Sequence, residues 1–254
     1  MIPIIGTAVV NTPYWVYRLI KSIDYPVDKF IIINNNGRGQ IDEELNNITL
    51  IKNDFINEIK VCHMPGNIGC SGAWNLIIKS TMMSGSWLIV NHDVEFSKGL
   101  LENMYEKSKE NFGVIHAESN EDGFGKWDLF LIKDWVVEMC GLFDENLYPA
   151  YTEDFDYIMR LINLNIPCAT LGINYKHGFS SYEQSGSQTW RSDESLKDKL
   201  HNCSYLNSVE YMDKKWGELW RGYLPTKTPF QNESLYQSYT TYDLSFVRKK
   251  NLGF

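Results

Sequence analysis

Four short apolar runs constrain this chain most: "IPIIGTAVV" (2–10), "KFIIINNN" (29–36), "EIKVCHM" (58–64) and "SWLIVN" (86–91). The Ile- and Val-rich runs read as strands buried in a sheet. Helix-period segments lie between them. "TPYWVYRLIKSID" (12–24) offers Thr12 as N-cap and Pro13 at the first helical position. "CSGAWNLIIKSTMMS" (70–84) sets Ala73, Leu76 and Ile77 on one face. Strand–helix alternation implies a parallel sheet with right-handed crossovers. Ligands in such sheets bind beyond the carboxyl ends of the strands. The polar residues there, Asn34–Asn36, Met64–Gly69 and Asn91–Glu95, are therefore the first to weigh.

The second half is less regular. "KWDLFLIKDWVVEMC" (126–140) reads as a strand running into a helix, "GLFDENLYPAY" (141–151) as a loop and "PCATLGINYKH" (167–177) as another strand. A mobile Gly/Ser-rich stretch (178–190) and a final helix at about 193–217 are expected next. The predicted organisation is a catalytic domain over 1–190, with halves 1–100 and 101–190, and a helical, aromatic extension over 191–254.

Composition narrows the function classes. The 254 residues carry 24 Lys+Arg against 32 Asp+Glu, a net charge of −8. Nonspecific nucleic-acid binding needs a basic surface, so it is set aside. Arg248-Lys249-Lys250 is the one compact basic cluster and reads as a solvated tail. Five cysteines without a C-x-x-C pair read as reduced thiols of a cytoplasmic protein. No apolar run approaches the ~20 residues of a membrane span.

Several constellations can carry chemistry. In "NHDVEF" (91–96), Asp93 and Glu95 at i, i+2 can point into one space and hold Mg²⁺ or Mn²⁺, though the pattern also fits a solvated loop. "PGNIGCSGAWN" (65–75) lacks the order of a dinucleotide or P-loop fingerprint. It reads as a plain strand–helix turn, or as one that lets backbone approach a ligand. "INNNG" (33–37) fits a nucleobase edge or an Asn-Gly turn. His177 ends a strand and can complete a metal site or serve structure alone. In "YTEDFDYIMRL" (151–161), Phe155, Ile158, Met159 and Ile162 trace a helix face behind Glu153, Asp154 and Asp156. Thr152 can cap, the acids suit a helix N-terminus, and Asp156 can pair with Arg160 at i, i+4.

Taken in order, "YRLIKSI", "FIIINNNG", "NIGCSGAWN", "WLIVNHDVEF" and "GLFDENLYPAYTEDFDYIMRL" resemble a nucleotide-sugar glycosyltransferase of the GT-A fold, closest to the inverting family 2 type, over about residues 2–180. "YMDKKWG" (211–217) is less specifically similar to bacterial and viral members. The resemblance implies a mostly parallel α/β sheet flanked by helices. It implies a nucleotide-diphosphate sugar donor, UDP- or dTDP-type, and a glycan or glycoconjugate acceptor. Asp154 matches the general base, with Glu153 beside it. Thr7, Asn35, Asn67, Gly69, Asn75, His92 and Asp93 fall around the donor. Asp93, Glu95 and His177 match positions for Mn²⁺ or Mg²⁺. Two departures stand out: the metal loop is D-x-E, and the base-binding turn has Asn where an acid is common. "QTWR" (188–191) does not match Q-x-x-R-W of processive synthases, so single-sugar transfer is expected. Two other readings share the fold, a sugar-nucleotide nucleotidyltransferase and an inactive carbohydrate-binding protein. The first normally needs a Gly-rich basic N-terminal loop, which "GTAVVNTPYWVYR" lacks. The C-terminal aromatics either form an acceptor platform or pack the extension.

Overall fold

The computed structural model describes residues 1–37, 39–120, 123–179, 186–223 and 229–231. The first half alternates as its pattern requires: β1 Ile2–Val9, α1 Tyr14–Lys21, β2 Val27–Asn34, α2 Asp42–Ile48, β3 Ile56–His63, α3 Gly69–Ser80 and β4 Ser86–Val90. Then follow β5 Val94–Glu95, α4 Leu100–Ser108, β6 Val114–His116, β7 Leu129–Lys133, α5 Asp134–Cys140, α6 Glu153–Asn163, β8 Cys168–Thr170 and β9 Lys176–His177. The last helices are α7 Gln188–Arg191, α8 Glu194–Asp198, a π-helical turn Lys199–Ser204 and α9 Tyr205–Trp216.

Seven strands form one sheet in the order β3-β2-β1-β4-β7-β6-β8. β1 runs parallel to β2 on one side and to β4 on the other, with Gly6 opposite Ile31 and Ile89. The chain switches sheet direction at β1, which opens a crevice beyond the carboxyl ends of β1 and β4. β7 is antiparallel to both β4 and β6, so the sheet is mainly parallel. β5 and β9 form a separate two-stranded ladder.

Strand periodicity divides the core. Ile4, Ile31, Ile33 and Ile89 face one side, under α3, α5, α6 and α9; Ile5, Phe30, Ile32 and Leu88 face the other, under α1, α2 and α4. Both faces are covered, which is why the runs are continuously apolar.

Several local expectations are corrected. Residues 167–177 are two short strands in different sheets, not one. The final helix is broken into α8, the π-helical turn and α9. Thr12 does not cap α1: its φ is +52°, the N-cap is Pro13, and its hydroxyl lies near Asn11 and His92. Thr152 does not cap α6 through its side chain; its Oγ1 is buried without a partner. The buried face of α6 is Tyr157, Ile158, Met159 and Leu161, while Ile162 is exposed.

No helix among the described residues is long and apolar enough to cross a membrane. Cys62, Cys70, Cys140 and Cys168 are free thiols. Residues 180–185, Tyr236, Tyr239, Tyr242 and Arg248–Lys250 lie outside the described residues, as does the Cys203 side chain.

Candidate active site

Past the strand ends lies a cleft of about 440 Å³. Ala8, Val10, Asn35 and Asn91–Asp93 from the parallel strands line it, together with Asn67, Asp128, Glu153 and Asp154.

One wall is built around Asp93, in the turn between β4 and β5. Backbone bonds pin this turn: Asn91 N–H donates to the Asp128 carbonyl (2.8 Å), and Gly178 N–H to the Asp93 carbonyl (2.8 Å). The β5–β9 ladder pairs Val94 with His177 and so brings the imidazole beside Asp93. Asp93 is 2% exposed. Its Oδ2 accepts from the Gln188 N–H at 2.5 Å. Its Oδ1 lies 3.2 Å from His177 Nε2, an ion pair with the imidazole. His177 Nδ1 lies 2.8 Å from Asp128 Oδ2, and the Tyr175 hydroxyl donates to Asp128 Oδ1.

Burial would raise the Asp93 pKa, but His92, His177 and the Gln188 amide hold it at about 2. Burial opposes charge on His177, but Asp128 and Asp93 hold its proton, raising its pKa to about 10. Burial lowers the His92 pKa despite the Asp93 charge, and its Nε2 lies 3.2 Å from Thr12 Oγ1.

Among the described residues no group of three or more His, Cys, Asp or Glu side chains is arranged to hold a metal ion, and His177, ion-paired with Asp93 and Asp128, does not line the cleft. Glu95 is not brought to this place. Its carboxylate is held by Arg18 at 2.5 Å and Lys176 at 2.9 Å, and it does not line the cleft. The i, i+2 argument fails here because Asp93 sits in a turn, before strand alternation begins at Val94.

The opposite wall is the first turn of α6. Tyr151 (φ +85°) and Thr152 (φ +66°) are both in the left-handed region, costly for residues with a Cβ. This kink delivers Glu153 and Asp154 to the cleft. Glu153 is 7% exposed, and its Oε2 has no hydrogen-bond partner. Asp154 Oδ1 accepts from the Phe155 N–H at 2.8 Å. Burial raises both carboxyl pKa values, and the neighbouring Asp154 charge pushes Glu153 further, to about 8.

A loop contact positions this wall. Gly69, at φ +79°, opens α3 where a Cβ would come 2.9 Å from Tyr148 and 3.1 Å from the Pro149 carbonyl. The Cys70 N–H donates to that carbonyl at 2.7 Å. Asn67 Oδ1 accepts from the Gly69 N–H, and Asn35 bridges Ile68 N–H and the Gly69 carbonyl. Asn35 and Asn67 therefore line the cleft with amides largely spent on shaping it.

Two expected donor residues lie elsewhere. Thr7 is fully buried within β1, outside the cleft lining. Asn75 clamps the loop before α6, donating to Phe143 O and Glu145 and accepting from Phe143 N–H.

Behind α6, the expected Asp156–Arg160 pair is present at 2.7 Å and fully buried. It belongs to a larger network. Lys215 Nζ lies 2.6 Å from both Asp156 Oδ1 and Asp144 Oδ2, and Trp216 Nε1 donates to Asp156 at 2.8 Å. Arg160 donates to the carbonyls of Cys140 and Leu142. Thus "GLFDE", "TEDFDYIMR" and "YMDKKW" meet in one buried cluster of two anions and two cations. Trp216 and Trp220 are buried in the core, and Tyr223 stacks on Phe124 at 3.8 Å. These three pack the extension onto the domain and do not line the cleft. Trp190, Leu196 and Leu200 do line it.

Asp128 was not singled out by the sequence. Its only signal is an acid immediately before the apolar run "LFLI". His116, also unassigned, is buried against Trp127 and outside the cleft lining.

No protein-family model and no curated protein match this chain. Solved structures do. S. aureus TarS matches at 15% identity and TM-score 0.52, over 84% of this chain and 40% of that one. TarS 1-349 in complex with UDP matches at 15% identity and TM-score 0.51, over 69% and 60%. TarS 1-349 in complex with UDP-GlcNAc matches at 15% identity and TM-score 0.50, over 72% and 62%. This chain thus spans 40–62% of the length of those chains. The likeness shows a shared fold, of the GT-A, Rossmann-like α/β class.

Proposed function

We propose that this chain is an inverting glycosyltransferase of the family 2 type, moving one sugar from a nucleotide-diphosphate donor to a hydroxyl of a glycan or glycoconjugate. The observation that carries this reading is one cleft with two unlike acid walls. Asp93 with His177 stands at the parallel-strand ends, and Glu153 with Asp154 stands at the start of α6. The same fold in TarS structures with UDP and UDP-GlcNAc supports a UDP-type donor.

The donor lies across the strand ends, with its base toward Val10 and Asn35 and its diphosphate toward Asp93. A divalent cation bound with the donor beside Asp93 would offset charge developing on the leaving diphosphate. Asp154 takes the proton of the acceptor hydroxyl as its oxygen attacks the anomeric carbon. The bond to the diphosphate oxygen breaks on the opposite face, and its electron pair leaves with the nucleotide. The raised Asp154 pKa makes it a stronger base than a solvated aspartate. Glu153, beside it with a free oxygen, contacts the acceptor.

A thermal-shift screen of nucleotide sugars with and without Mn²⁺ tests this, because a ligand that binds only the folded state raises the melting point. A UDP- or dTDP-sugar should shift it, and donor hydrolysis should release the nucleotide diphosphate. Neither stabilisation nor release with any nucleotide sugar would overturn the reading.

A further inference from the structure

We propose that Lys215, in α9, is a positioning residue that holds the first turn of α6 in its strained form and so keeps Glu153 and Asp154 at the cleft. The proposal rests on the general-base reading above and extends it to the C-terminal part of the chain.

Three observations carry it. First, one ammonium bridges two points that bracket the acid wall. Lys215 Nζ lies 2.6 Å from Asp144 Oδ2, in the loop before the wall, and 2.6 Å from Asp156 Oδ1, just after it. All three side chains are at most 3% exposed, and charges attract more strongly there than in water. Second, the chain between those points is strained. Tyr151 and Thr152 hold φ of +85° and +66°, and such backbone persists only where the surrounding structure over-determines it. Thr152 Oγ1 and Glu153 Oε2 are also buried without a hydrogen-bond partner, so a relaxed turn would return them to water. Third, the bracket is reinforced from the same helix. Trp216 Nε1 donates to Asp156 Oδ1 at 2.8 Å, and the Tyr211 hydroxyl donates to Asp144 Oδ2 at 2.7 Å. On the cleft side the Cys70 N–H donates to the Pro149 carbonyl. The wall is thus held from α3 in front and from α9 behind.

The test is hydrogen–deuterium exchange of the full chain, read peptide by peptide, with nucleotide release and donor titration on the same preparations. Lys215→Met should speed exchange over residues 148–156 at least about 10-fold more than over β1 and β2. It should lower turnover about 10- to 100-fold with donor affinity near wild type. Lys215→Arg, which keeps the charge, should recover part of both. Trp216→Phe removes only the bond to Asp156; it should act the same way more weakly, and it keeps the test open if Lys215→Met does not fold. Exchange accelerated equally in the sheet and in 148–156, or turnover falling only in step with donor affinity, would overturn the positioning role. A wild type that releases nucleotide from no nucleotide sugar would overturn the transferase reading, and the exchange pattern would then decide the clamp by itself.

Discussion

His177 Nε2 and Asp93 Oδ1 form an ion pair at 3.2 Å, with the Asp93 carboxylate buried. Two residues 84 positions apart in the sequence meet because β5 and β9 pair. Asp93→Ala should weaken Mn²⁺-dependent UDP binding at least about 10-fold, and His177→Ala less, because His177 acts through its ion pair with Asp93 and does not line the cleft. Glu95→Gln should leave it nearly unchanged, since Arg18 and Lys176 hold Glu95 outside the cleft. Calorimetric titration with and without Mn²⁺ separates these outcomes. A large loss in Glu95→Gln would restore Glu95 as a ligand.

Asp154→Asn should lower turnover about 100- to 10,000-fold, the range for a positioned general base. Donor affinity should stay near wild type, because Asp154 lies on the wall opposite Asp93. The measurement is steady-state nucleotide release alongside donor titration. Near-normal turnover would remove Asp154 as the base.

Glu153 makes stability depend on pH. Its folded pKa is raised from 4.5 to about 8, chiefly by burial. The protonated form is therefore favoured in the fold. The contribution is fully present below about 4.5 and is lost as pH rises toward about 8. Glu153→Gln removes that loss and should raise the melting temperature at pH 8–9 by several degrees, equivalent to about 1–3 kcal/mol. Melting curves from pH 4.5 to 9 decide it; parallel curves for variant and wild type would remove Glu153 as the source.

Lys215→Met should destabilise the protein by about 3–5 kcal/mol, because it leaves Asp144 and Asp156 as buried anions short of a partner. Urea denaturation measures this. Lys214→Met is the control: Lys214 pairs with exposed Glu210, and its loss should cost under about 1 kcal/mol. Equal effects would mean that the network does not anchor α9.

Gly69→Ala should destabilise by about 1–3 kcal/mol and weaken donor binding together. The position combines φ +79° with a Cβ contact of 2.9 Å to Tyr148, so strain falls on the junction between α3 and the loop before α6. Thermal melts and donor titration on one preparation check both effects. A variant with wild-type stability and affinity would show that the junction adapts.

The sequence by itself determined the parallel half of the sheet. Continuous apolar runs need both faces covered, and the intervening helical periods supply the cover. It also marked Asp93, Glu153 and Asp154, because acids after a buried strand or before a helix are local patterns. The buried Asp156–Arg160 pair was legible for the same reason, being one helical turn apart. Only the tertiary structure decided the rest. Glu95 was separated from Asp93 by the turn in which Asp93 sits, and its carboxylate went to Arg18 of α1 and Lys176 of β9. Asp128 entered the site through antiparallel β7, a pairing that no local pattern announces. Lys215 completed the Asp156 cluster from 59 residues away. Local periodicity records which face a residue shows to the core. It does not record which distant side chain arrives to satisfy a buried charge.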